Sequence, residues 1–151
     1  MHRTFAALLA CVMLSSGAPG AQPEARPPAG PETAMPVAVR WWGQALVTIE
    51  TWWNLTIAID PYQARIGYLD PEISADVVLI THEHFDHNNA ALIRGDPEVL
   101  RGLDEAGTVR GIDLVLRRAP NEAEPTLSPW VDGATLGPRE VRIRTIPSFH
   151  D

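Results

Sequence analysis

The stretch Val77-Val78-Leu79-Ile80-Thr81-His82-Glu83-His84-Phe85-Asp86-His87-Asn88 joins an unbroken apolar run to a segment carrying His82, His84, Asp86 and His87 within six positions. An apolar run without polar alternation fits a central strand buried on both faces. Open α/β sheets place their chemistry just beyond the C-terminal ends of such strands. Imidazole and carboxylate are the side chains that zinc-like dications accept where no thiolate is at hand. On a helix these histidines would not share a face, because same-face neighbours fall three or four positions apart. An extended segment places His82 and His84 on one side with Asp86 in phase, and a following turn can swing His87 round to join them. The pattern therefore predicts a metal site on a loop after a buried strand.

Working upstream, Val37 to Trp42 reads as a first strand, turned by Gly43-Gln44 into Leu46 to Thr51, where Val47 and Ile49 alternate with Thr48 and Glu50. Trp52-Trp53-Asn54 makes a second turn, and Thr56 to Ile59 is a third strand stopped by Asp60-Pro61. Three antiparallel strands are thus expected before the histidine stretch. Trp41, Trp42, Trp52 and Trp53 could suggest a stacking platform for a ligand. On strands and at turns they are expected instead to fill the core and cover the sheet edge.

Downstream, Asn88 or Asn89 is placed to cap a helix through Ala90 to Ile93, and Asp96-Pro97-Glu98 to open another through Val99 to Leu103. Residues 102–138 are weakly patterned, with a candidate strand at Ile112 to Leu116 and a loop from Pro120 to Pro129. In the final segment Val141 and Ile143 alternate with arginines, the pattern of a strand that delivers His150.

The 151 residues suffice for one modest domain. Met1 to Ala21 carries Arg3, an apolar run from Phe5 to Leu14 and then small residues, the pattern of a secretory signal peptide. Residues 22–36 are dense in Pro, Ala and Gly and read as a linker, leaving 37–151 as the folded part. A periplasmic or secreted location follows from the signal. Cys11, the single cysteine, lies in Leu8-Leu9-Ala10-Cys11, which also resembles a lipobox, so anchoring as a lipoprotein is the alternative. No later run approaches the roughly 18 apolar residues of a transmembrane helix.

Cleavage at Gly20 or Ala21 leaves no cysteine, which excludes disulfides, thiolate ligands and a cysteine nucleophile from the mature chain. All 12 basic residues are arginine, so a Schiff-base lysine is excluded as well. The formal net charge is -7. Such a surface only makes nucleic acid a poor partner; the partner expected is a small-molecule substrate.

Of five histidines, His2 falls in the signal, and His82, His84, His87 and His150 each follow a strand. The order His82-x-His84-x-Asp86-His87 after an apolar strand resembles the HxHxDH signature of the metallo-β-lactamase fold hydrolases. Trp42-Gly43, Ile59-Asp60-Pro61, Thr81 and Ile146 to Asp151 are similar to the branch containing the L-ascorbate-phosphate lactonase-like proteins. The resemblance covers about 37–151 and is weakest from Asp104 to Pro138.

It implies an α/β fold, an αββα sandwich of two similar halves, of which these residues span the N-terminal one. It also implies that His82, His84 and His150 hold a first zinc, that Asp86 and His87 belong to a second, and that Asp60 braces the loop. Family members continue with a half that adds a bridging aspartate and a last histidine, and neither is among the 151 residues.

The activity so implied is an exported zinc-dependent hydrolase that uses a metal-activated water on an ester, lactone, amide or phosphodiester, with Asp86 as its catalytic carboxylate. The alternative is a truncated, inactive half-domain that at most binds metal or pairs with a partner half or another copy. The export reading is directly testable. Mass spectrometry of the exported protein should find an N-terminus near Gln22, whereas Met1 intact would contradict cleavage and a lipid on Cys11 would select the lipoprotein.

Overall fold

A computed structural model describes residues 36–148. The segment 1–21 expected to be a signal peptide, nearly all of the expected linker 22–36, and His150 lie outside the described residues. The backbone pairs into two sheets. In the first, β1 (Val37–Gly43), β2 (Leu46–Thr51), β3 (Thr56–Ile59), β4 (Val77–Ile80) and β5 (Glu98–Arg101) lie in the order β1-β2-β3-β4-β5. The first three strands are antiparallel, as their short turns require, and β3, β4 and β5 run parallel through the crossovers 60–76 and 81–97. The second sheet holds β6 (Asp113–Arg117), β7 (Thr126–Pro129) and β8 (Glu140–Arg144), antiparallel in the order β7-β6-β8.

Side-chain alternation divides the first sheet into two apolar faces. One face places Leu46, Ala58, Val78 and Ile80 against Tyr62, Ile73 and Ile93 from the crossovers. The other places Ile57 and Val77 with Leu55 against Leu116 of β6, flanked by Ile49, Ile59, Leu79, Val141 and Ile143. β4 is covered on both faces, as its unbroken apolar run predicts. Val37, Val39 and Trp41, on the edge strand β1, remain 53%, 69% and 65% exposed. Trp41 therefore departs from the expected core role, while Trp52 and Trp53 are half-buried and meet edge to face at 5.6 Å.

Two helix expectations are corrected. At Ala90–Leu92 the chain makes only a short 3-10 turn. The asparagines expected to cap a helix are engaged elsewhere, Asn88 donating to the Glu83 carbonyl at 2.9 Å and Asn89 to the Tyr62 carbonyl at 3.0 Å. Glu98–Arg101, expected in a helix, is a strand beside β4. There the open edge of β4 supplies backbone partners, and this outweighs the weak helical preference of four residues. Among the described residues there is no α-helix; the helical turns are the 3-10 turns Ala64–Ile66 and Ala90–Leu92, both in the crossovers, so the helical layers expected of an αββα sandwich are not seen there. The expected loop 120–129 yields β7, an edge strand that tolerates Pro129 at its end. Among the described residues no helix is long and apolar enough to cross a membrane.

Parallel pairing places the C-terminal ends of β3, β4 and β5 side by side. The Asp60 N–H donates to the Leu79 carbonyl at 2.9 Å, and the Gly102 N–H to the Ile80 carbonyl at 2.7 Å. Glycine is required at 102, because a Cβ there would lie 2.8 Å from the Thr81 carbonyl oxygen. Leu116, 0% exposed, is the main contribution of the second sheet to the shared core. Leu116→Ala should lower unfolding free energy by about 2–5 kcal/mol in denaturant titrations, and a loss below about 1 kcal/mol would mean that the two sheets do not share this core.

Candidate metal centre

The loop after β4 folds back on itself through a turn closed by the His87 N–H donating to the His84 carbonyl at 2.9 Å. That turn gathers the three imidazoles. The His82 ring lies 4.6 Å from His84 and 4.1 Å from His87, centroid to centroid. Asp86 is brought in by the turn and not by extended alternation, with its Oδ2 at 3.6 Å from His87 Nε2. Among the described residues no group of three or more His, Asp or Glu side chains already stands in a metal-holding arrangement. His150 lies outside the described residues.

Asp60 organises these rings from below. Its Oδ1 accepts the Thr81 backbone N–H at 2.7 Å, and its Oδ2 accepts the Thr81 hydroxyl at 2.7 Å and His87 Nδ1–H at 3.1 Å. A carboxylate only accepts, so the single Thr81 proton is committed to Asp60. The Thr81 oxygen, 2.9 Å from His82 Nδ1, must then accept a proton from that ring. Both His82 and His87 are thereby assigned the tautomer with Nδ1–H and the lone pair on Nε2. This is the carboxylate–histidine relation that orients metal-ligating imidazoles. The residue types fit a zinc-like dication: imidazole nitrogens gathered with a carboxylate oxygen, two of the rings oriented from behind.

The Asp86 carboxyl is half-buried, and its partial desolvation pushes its pKa up. Its own backbone N–H, the neighbouring His87 and His84, and the Gln44 amide outweigh that push and hold it below the ordinary carboxylate value. Asp86 is therefore an anion wherever a free aspartate would be. Gln44 Nε2 donates to Asp86 Oδ2 at 2.8 Å from the β1–β2 turn. Sequence reading missed this residue, because nothing in Gly43-Gln44 beyond a turn signal marks a partner 42 positions away.

Other contacts fix the outer part of the loop. Glu83 accepts both hydrogen bonds from Arg101 Nη1 at 2.7 and 2.8 Å, the Gln63 N–H donates to the Phe85 carbonyl at 3.1 Å, and the Arg65 guanidinium lies 3.9 Å over the Phe85 ring. An apolar cavity of about 550 Å³, lined by Ile59, Leu79, Leu100 and Ile143 from the two sheets, reaches Thr81 and His82.

A family model described as a beta-lactamase superfamily domain matches residues 38–151. The chain belongs to this superfamily, as the histidine signature and its place after β4 imply. Over 107 residues it is 35% identical to a UPF0173 metal-dependent hydrolase of Myxococcus xanthus, covering 61% of this chain and 38% of that protein. Over 123 residues it is 34% identical to a UPF0173 metal-dependent hydrolase of Cupriavidus necator, covering 74% of this chain and 40% of the relative. The chain thus spans well under half the length of these relatives. No solved structure gives a significant match.

The tautomer assignment can be checked without metal. Long-range nitrogen–proton NMR spectra at neutral pH should show Nδ1–H on His82 and His87. In Asp60→Asn, where the amide brings a donor to the position of one carboxylate oxygen, His87 should move toward the Nε2–H form. An Nε2–H tautomer in the unaltered protein would overturn the assignment.

Proposed function

We propose that this chain carries the first metal site of an exported, zinc-dependent hydrolase of the beta-lactamase superfamily. The observation that supports it most is the gathering of His82, His84 and His87 at the end of β4 over one buried carboxylate that fixes the tautomers of two of them. Its relatives from Myxococcus and Cupriavidus carry the name metal-dependent hydrolase, which supports the same reading. In this reading His82 and His84, joined by His150, would hold the first zinc, and Asp86 and His87 would serve a second.

A bound zinc supplies Lewis acidity and lowers the pKa of a coordinated water to roughly 7. The rest falls to the chain's own groups. Asp86, ionised at neutral pH, is suited to orient an attacking water and accept its proton at a carboxylate oxygen. The apolar cavity beside His82 is of the size that takes the non-polar part of a small molecule. The electrophile would be an ester, lactone, amide or phosphodiester. The signal-like segment 1–21 supports a periplasmic or secreted location, with lipid anchoring through Cys11 as the alternative.

A second reading is a half-domain that binds metal but catalyses nothing by itself. Exposed Val37, Val39 and Trp41 favour it, since they continue the face that elsewhere packs on the second sheet and leave room for more protein there.

Zinc content separates metal binding from its absence. The purified chain should hold close to one zinc, and His84→Ala should lose most of it; an equal load in the variant would refute the site. Hydrolysis of a panel of esters, lactones and phosphodiesters that stops on chelation and returns with zinc would favour the enzyme. Full metal loading without turnover would favour the half-domain.

A further inference from the structure

We infer that Gln44 is a positioning residue for Asp86, holding its carboxylate turned toward His87; this rests on the metal-centre reading above. Gln44 occupies the tight turn between β1 and β2 with φ +48, following Gly43 at φ +111. The left-handed region is uncommon for a residue with a long side chain, and glycine or asparagine would meet the needs of the turn with less strain. The Trp41 indole N–H donates to the Gln44 backbone carbonyl at 2.8 Å and would close this turn whatever side chain stood there. What glutamine adds is reach. Its Nε2 donates to Asp86 Oδ2 at 2.8 Å, across 42 positions of sequence.

That same Oδ2 lies 3.6 Å from His87 Nε2, too far for a hydrogen bond, so among the side chains the Gln44 amide is the one that fixes where this oxygen points. His87 is fixed on its other side by Asp60 at 3.1 Å. Within its own loop the Asp86 carboxylate meets its own backbone N–H, and the side-chain donor that holds it comes from outside, from the β1–β2 turn. A group that orients a metal-binding side chain in this way typically costs 10–100-fold in metal affinity when removed. The turn thus carries a strained residue whose side chain serves the loop and not the hairpin.

Zinc titration of the full chain, followed by NMR at the His82 and His87 rings and paired with thermal unfolding, tests the inference. Gln44→Gly removes the amide and relieves the positive φ. Its melting temperature should equal or exceed that of the unaltered chain, while the zinc midpoint at His87 moves up 10–100-fold and the midpoint at His82 stays within about twofold. Gln44→Leu, which keeps bulk without the amide, should show the same shift at His87. A His87 midpoint within twofold in both variants would overturn the inference and leave the metal centre standing. So would a fall in melting temperature with equal weakening at both rings, since that marks a structural role. If the His87 ring of the unaltered chain does not respond to zinc, the inference fails even where His82 responds; if neither ring responds, the metal reading fails with it.

Discussion

The arrangement at the head of the first sheet depends on one carboxylate. Asp60 is 6% exposed and sits at φ +49, yet it accepts hydrogen bonds from the Thr81 backbone, the Thr81 hydroxyl and His87. A buried carboxylate is tolerated only when hydrogen-bonded, and each bond to a charged group contributes about 1.5–3 kcal/mol. By comparison the Glu83–Arg101 pair, with side chains 46% and 39% exposed, is of the surface kind that contributes at most about 1 kcal/mol. The inner contact therefore dominates. The start of the histidine loop is anchored from beneath, and its outer contacts refine where the rest lies.

Anchoring from beneath is available because β3 and β4 are parallel neighbours. Their paired register, Ile57 with Val77 through Ile59 with Leu79, makes the residues just past each strand neighbours too. Antiparallel strands would have sent Asp60 and Thr81 to opposite ends of the sheet. The two crossovers needed for parallel pairing supply Tyr62, Ile73 and Ile93, which cover one face, while the second sheet covers much of the other. The sheet that carries the loop is thus packed on both sides near its centre, which keeps the histidines on a rigid base.

Much of this was legible from pattern alone. The strands before the loop, the buried character of β4 and the clustering of His82, His84, Asp86 and His87 follow from alternation, from an unbroken apolar run and from donor density. The errors share a cause. Asn88 and Asn89 look like helix caps in isolation, but their amides are drawn to the Glu83 and Tyr62 carbonyls. Glu98–Arg101 has no strong preference, and the vacant edge of β4 decides its state. In both places a partner distant in sequence outweighed the local signal.

The sequence by itself determined the chemistry on offer: a single cysteine, far from the histidine stretch in sequence, an arginine-only set of basic residues, and imidazoles concentrated after one apolar strand. Residue type and spacing carry that information, because metal donors are recognised by their atoms. Tertiary structure alone decided how the donors are held. Asp60 orients two imidazoles, His87 directly and His82 through Thr81, and Gln44 turns Asp86, through long-range hydrogen bonds of 2.7 to 3.1 Å that exist only once segments 21 to 42 positions apart in the chain lie side by side. A hydrogen bond depends on distance and direction in space, and neither is written in the order of residues along the chain.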